Sequence, residues 1–155
     1  MDIAPLVQAM QTLNAEDAFR PRLTLDQWRV IAPFLTRHEI RAGDLLIKQG
    51  DADRSMYMLA QGSLQVFVSG GAPGSNRIAI LRAGSVVGEP GLFNDGPRMA
   101  NVEAMTACEV WALRGPRFEE LAQRNPALAL ELLRSAGNVM AVRMRANLAK
   151  QVPFT

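Results

Sequence analysis

The sequence predicts a mainly β domain, a sandwich or barrel of short strands, with helices at both ends. Between Thr36 and Leu113, short apolar segments are separated by glycines at 43, 50, 62, 70, 71, 74, 84, 88, 91 and 96. Many short strands with glycine turns make a sandwich or barrel. Outside that stretch, the apolar residues recur at helical spacing instead. The 155 residues suit one domain, which buries about two thirds of the surface its unfolded chain exposes.

Residues 4–17 hold Leu6, Met10 and Leu13 on one helical face, with Pro5 suited to the first turn. A second helix begins at Thr24. In TLDQ a threonine is followed three residues later by glutamine, the capping-box pattern, and Trp28, Ile31 and Leu35 share a face until Pro33 ends or bends the helix. The strand segments are RHEIR, DLLIK, SMYMLA, LQVFVS, RIAIL, NVEAM and CEVWAL. Leu64, Val66 and Val68 alternate with Gln65, Phe67 and Ser69, the two-residue period of a strand. GGAPGSN at 70–76 reads as an exposed, mobile hairpin loop.

After Arg114 the helical period returns. Pro116 opens a short helix, and Asn125-Pro126 caps and starts a long one through about Lys150. Leu128, Leu132, Val139, Val142 and Ala146 follow one face of it; Leu130, Leu133, Met140, Met144 and Leu148 follow another. A helix apolar on two faces needs two partners. The barrel is one, and the same helix of a second copy, a two-fold homodimer seam, is the favoured other. The alternative is that both faces pack within one chain.

Composition excludes several functions. The net charge of +2, with acids and bases interleaved, makes no case for nucleic acid or a membrane surface. The basic residues of the last helix, Arg134, Arg143, Arg145 and Lys150, fall on different faces without interleaved aromatics. A single histidine, His38, and a single cysteine, Cys108, cannot supply three or four nitrogen or sulfur ligands, so no metal and no cofactor are expected. His38 reads as a strand residue and Cys108 as a buried small hydrophobe, and no nucleophile–base arrangement is legible, so no enzyme is expected. The N-terminus carries an acid where a secretory segment would be basic, and no apolar run is long enough to span a bilayer. A cytoplasmic chain is the expectation.

The chemistry is concentrated in GEPGLFNDGPRMANV, residues 88–102. Glycines at 84 and 88 let backbone approach a ligand closely, and Glu89-Pro90-Gly91-Leu92-Phe93 can start one helical turn whose free amides favour an anion. Arg98 carries a permanent charge and forks two donors toward a phosphate. Glu89 can accept from sugar hydroxyls. An acid and a base closing one loop thus suit a ligand with a hydroxyl at one end and a phosphate at the other. The bland alternative is a structural ion pair between Arg98 and Glu89.

This segment resembles the phosphate-binding cassette of cyclic nucleotide-binding domains, and within them the ligand-binding half of bacterial catabolite activator proteins. GDLLIKQGDADRSMYMLAQGSLQV, TACEV at 106–110 and Asn125-Pro126 resemble the same family, over roughly residues 24–150. The resemblance implies a jelly-roll-like (double-stranded β-helix) barrel. It also implies that Glu89 binds the ribose 2′-hydroxyl beside the Gly88 backbone, and that Arg98 binds the cyclic phosphate with the amides around Met99 and Ala100. Counting from Asn125 puts Arg143 and Met144 where the family's helix reaches the base. A solvated charge is the plain alternative for Arg143.

Three departures qualify the likeness. Met99 stands where the family usually has Ser or Thr, which removes a hydroxyl contact and favours cyclic AMP over cyclic GMP. Pro90 removes one backbone donor from the turn. The activator proteins continue into a helix-turn-helix, whereas this sequence ends at QVPFT. The expected organisation is an N-terminal helical segment at 1–23 and a cyclic nucleotide-binding domain at 24–150. Its barrel spans about 36–113 and its C-terminal helices about 116–150, with no output domain. The expected function is a freestanding sensor of cyclic AMP that signals through a separate effector protein. The alternatives are another nucleotide messenger such as cyclic di-GMP, or a ligand-free protein-interaction module with a degenerate pocket.

Overall fold

The computed structural model describes residues 2–70 and 77–151. The N-terminal helices are α1 (Ala4–Thr12) and α2 (Leu25–Ile31). The strands are β1 (Thr36–Ile40), β2 (Leu45–Ile47), β3 (Ser55–Gln61), β4 (Ser63–Phe67), β5 (Arg77–Arg82), β6 (Val86–Val87), β7 (Asn101–Ala104) and β8 (Cys108–Arg114). Helices α3 (Gly115–Arg124) and α4 (Pro126–Gln151) follow. The expected hairpin loop at 70–76 lies, from residue 71 on, outside the described residues.

The strands form two four-stranded antiparallel sheets, ordered β1-β8-β3-β6 and β2-β7-β4-β5, the jelly-roll arrangement the resemblance implied. The first sheet is covered on both sides. Tyr57, Leu59, Val110 and Ala112 point into the barrel core with Ile47, Leu64, Leu81 and Val102. Met56, Met58, Trp111 and Leu113 point outward, into a second core built by Leu6, Met10, Trp28, Phe118, Leu132 and Val139 of the helices. That double burial explains why SMYMLA and CEVWAL read as nearly continuous apolar runs, while β4 alternates.

The capping box at α2 forms as expected: Thr24 Oγ1 accepts from the Gln27 amide at 3.1 Å, and Gln27 Oε1 accepts from the Thr24 amide at 2.8 Å. Pro33 lies in a single 3₁₀ turn, Ala32–Phe34, that ends the helix. Helix α1 stops at Thr12, short of the expected residue 17, because Leu13 turns extended (φ −65°, ψ 120°) while its side chain stays buried. Strand β6 was not among the expected segments: two residues between Gly84 and Gly88 are too short to show a period. At Gly84 (φ +97°) a Cβ would lie 2.3 Å from the Ala9 carbonyl oxygen, so this glycine lets α1 dock on the turn before β6.

Helix α4 runs where the sequence placed it, with Asn125 Oδ1 accepting from the Leu128 amide at 3.4 Å. Leu128, Leu132, Ala136 and Val139 are buried, whereas Leu130, Met144 and Leu148 of the other face are each about half exposed. From Met144 to Lys150 every residue is exposed. No helix among the described residues is long and apolar enough to cross a membrane.

Candidate ligand-binding site

The segment between β6 and β7 folds around one guanidinium. Gly88 adopts a left-handed conformation (φ 77°, ψ 14°), and Glu89–Leu92 form a 3₁₀ turn with Pro90 in its first turn, where a missing amide does no harm. Arg98 lies beneath this turn and is only 7% exposed. Its backbone is pinned from both sides: the Arg98 amide donates to the Asp51 carbonyl, and the Gly50 amide to the Arg98 carbonyl, each at 2.8 Å.

Three oxygens hold the Arg98 side chain. Nη1 donates to the Gly88 carbonyl at 2.9 Å, Nη2 donates to the Ser55 carbonyl, and Asp53 Oδ2 lies 3.4 Å from Nη2. Tyr57 donates its hydroxyl to the same Asp53 oxygen at 3.2 Å. Burial, with Asp53 beside it, raises the Tyr57 pKa, so the phenol stays a donor. A Cβ at Gly88 or Gly91 would come within 3.2 and 3.1 Å of Arg98 Nη1, so both glycines make room for the guanidinium. Arg98 Nε is buried with no hydrogen-bond partner among the described residues. The Nε of Arg54 is in the same state, so each of these guanidiniums keeps a donor in reserve.

Glu89 is 5% exposed and does not pair with Arg98. The structural ion pair between those two residues is not formed, because Arg98 turns toward the Ser55 and Gly88 carbonyls instead. Glu89 Oε1 accepts from Arg143 Nη1 of α4 at 2.9 Å. Arg143 also donates Nε to Asp17 Oδ2 at 2.9 Å and Nη2 to the Val86 carbonyl at 2.8 Å. The arginine is therefore not the solvated charge of the plain alternative; it is held at the cleft by three acceptors.

These groups line a cleft of about 600 Å³. Its floor is the open end of the barrel core, with Ile47, Leu81, Val87 and Val102; the cassette forms one wall and α4 the other. Of the residues singled out in the sequence, Gly88, Glu89, Arg98, Met99, Ala100 and Arg143 border this cleft. Met144 does not: it is 58% exposed and faces away with Leu148. Met99 sits at the rim, 82% exposed. The sequence reading missed Asp17, Asn147 and Lys150, which also border the cleft. Asn147 was reachable by helical arithmetic, one turn beyond Arg143. Asp17 belongs to a connecting segment without a motif.

The remaining candidates lie elsewhere. Cys108 is buried on β8, its thiol 3.4 Å from the Ser63 carbonyl. His38 on β1 stands 3.2 Å from Arg114 Nη2, and burial, then that positive charge, lower its pKa below the usual imidazole value. No group of three or more His, Cys, Asp or Glu among the described residues is arranged to hold a metal ion.

Two antiparallel sheets, a short cassette turn around a buried arginine, and a long helix across the opening define a ligand-binding module of the jelly-roll class. Residues 37–125, more than half of the chain, match the family described as the cyclic nucleotide-binding domain, and the chain belongs to that family. It is similar to the cAMP-activated global transcriptional regulator CRP of Salmonella typhimurium, 33% identical over 96 residues, which are 61% of this chain and 46% of that one. It is also similar to the cGMP-dependent protein kinase egl-4 of Caenorhabditis briggsae, 33% identical over 117 residues, 76% of this chain and 15% of the kinase. The chain thus matches less than half the length of these curated relatives. Among solved structures, a cyclic nucleotide-binding domain from Methylobacillus flagellatus superposes with a TM-score of 0.79 at 15% identity, covering 99% of this chain and 85% of that one.

Proposed function

We propose that the cleft binds a cyclic nucleotide, with cyclic AMP preferred, and that a separate effector protein reads its occupancy. The observation that carries this reading is Arg98, buried at the cleft, its guanidinium held in one orientation and its Nε without a partner among the described residues. That is what a phosphate-binding cation requires, since the fork then loses little freedom on binding. Glu89, with Oε1 taken by Arg143, has Oε2 to accept from a ribose hydroxyl. The amides around Met99 and Ala100 complete the phosphate end, and the apolar barrel floor suits the flat faces of a base.

The relatives include a cAMP-activated and a cGMP-dependent protein, so they do not choose between the two ligands. Met99 favours cyclic AMP, because a thioether offers guanine no hydroxyl. For the output, the exposed face of α4 at Leu130, Met144 and Leu148 supports pairing with a second copy. A ligand that draws cassette and α4 together shifts such an equilibrium only by its differential affinity for the two states.

Calorimetric titration of the full chain with cyclic AMP, cyclic GMP and cyclic di-GMP tests this. Heat from cyclic AMP at the lowest concentration is the expected result. Stronger binding of cyclic di-GMP would reassign the ligand, and no heat from any of the three would leave the interaction-module reading.

A further inference from the structure

We propose that the phosphate end of the cleft selects a singly charged phosphodiester over a doubly charged phosphomonoester, and that Asp53 sets this preference. The inference rests on the cyclic nucleotide reading above, which seats the phosphate at Arg98. The charge of Arg98 is already shared. Asp53 Oδ2 stands 3.4 Å from Nη2, while the Gly88 and Ser55 carbonyls accept from Nη1 and Nη2. A carboxylate at that distance offsets part of the field that the guanidinium sends into the cleft.

Among the described residues that border the cleft, no second cation stands on the cassette. Arg143 of α4 lies between two carboxylates, Glu89 and Asp17, each at 2.9 Å. Lys150 belongs to the exposed last turn of α4. Arg54 and Arg114 do not border the cleft, and Arg114 directs its nitrogens to Ser55 Oγ and His38. The phosphate end therefore presents one cation, partly neutralised.

Asp53 is held where it is. Its Oδ2 also accepts from the Tyr57 hydroxyl at 3.2 Å, and Tyr57 is buried in the barrel core. Asp53 does not itself border the cleft, so a ligand meets its field without touching it. That field repels two negative charges twice as strongly as one. A cyclic phosphate has a single ionisable oxygen and one charge, whereas a monoester carries close to two near neutral pH. The amides around Met99 and Ala100 can donate to either and do not tell them apart.

The test is calorimetric titration of the full chain with cyclic AMP and adenosine 5′-monophosphate, at about pH 8, where the monoester carries about two charges, and at low ionic strength. The wild type should bind cyclic AMP more tightly. In Asp53→Asn, which keeps an oxygen for Tyr57 but removes the charge, the ratio of the two affinities should fall by about threefold or more. Asp53→Ser removes the same charge and should lower the ratio in the same direction. Asp53→Glu, which restores the charge, should return the ratio toward that of the wild type. Asp26→Asn, which removes a charge from α2, should leave it unchanged. Equal weakening of both ligands in Asp53→Asn would show that Asp53 merely positions Arg98, and the proposal would fall. A ratio equal to that of the wild type would overturn it as well, assigning the preference to the shape of the phosphate ring. A wild type that binds neither ligand would overturn the cyclic nucleotide reading and this inference together.

Discussion

Arg143 and Glu89 meet at 2.9 Å, a residue of the last helix bonded to the buried carboxylate of the cassette. They are 54 residues apart, and their contact joins two elements that a ligand in the cleft would touch on opposite sides. The carboxylate, side chain 6% exposed, is thereby held in one orientation.

Replacing Arg143 by Met should therefore loosen α4 from the cassette. Glu89 loses its charged partner, and a hydrogen bond to a charged group is worth about 1.5–3 kcal/mol. Chemical denaturation should register a loss within that range, and hydrogen exchange should quicken in the turns around residue 143. An unchanged exchange pattern would mean that apolar packing alone docks the helix.

Arg98 predicts a different response. Arg98→Lys keeps the charge but loses the fork and the Nε donor, so cyclic AMP affinity should fall about tenfold or more with the fold intact. Arg98→Glu should instead unfold readily, because it sets a carboxylate against the Ser55 and Gly88 carbonyls and beside Asp53. Titration of the first and a thermal melt of the second separate these outcomes.

The lowered pKa of His38 links stability to pH. The unfolded chain takes up the proton near the ordinary value of about 6.5, while the folded chain resists it to lower pH. This contribution is therefore complete above about pH 6.5 and is lost progressively as pH falls toward the folded pKa. Urea midpoints measured between about pH 8 and 5 should decline less in His38→Gln than in the wild type.

Gly84 and Gly43 make a controlled pair. Both have positive φ, +97° and +90°, but only at Gly84 would a Cβ strike backbone, 2.3 Å from the Ala9 oxygen. Gly43→Ala should cost about 1 kcal/mol of conformational strain. Gly84→Ala should cost clearly more and expose the face of α1. Comparable melting temperatures for the two would contradict the tight docking of α1.

The exposed face of α4 gives the last prediction. Leu130→Asp combined with Leu148→Asp should convert a dimer into monomers by sedimentation equilibrium without lowering the helical circular dichroism signal. A wild type that sediments as a monomer would remove the seam.

What could be read from the sequence was what is local in it. The capping box at Thr24, the glycine-bounded strands and the proline starts of α3 and α4 involve residues close along the chain. So does the cassette, whose acid and base lie within residues 89–98. What escaped depends on long-range assembly. Glu89 and Arg98 look like partners in sequence, yet each is claimed by a distant group, Arg143 for one and the Ser55 carbonyl for the other. Asp17 borders the cleft from the connection between α1 and α2, which no spacing rule announces. Met144 was counted to the right turn of the helix but lies on its outer side.

The two-sided burial of the first sheet has a spectroscopic consequence. Both tryptophans, Trp28 and Trp111, lie in the core beneath the helices, while the single tyrosine, Tyr57, lies inside the barrel. Indole emission therefore reports the helical layer and phenol absorbance the interior of the roll. Without any added label, the two signals can reveal whether the layers come apart together or in sequence.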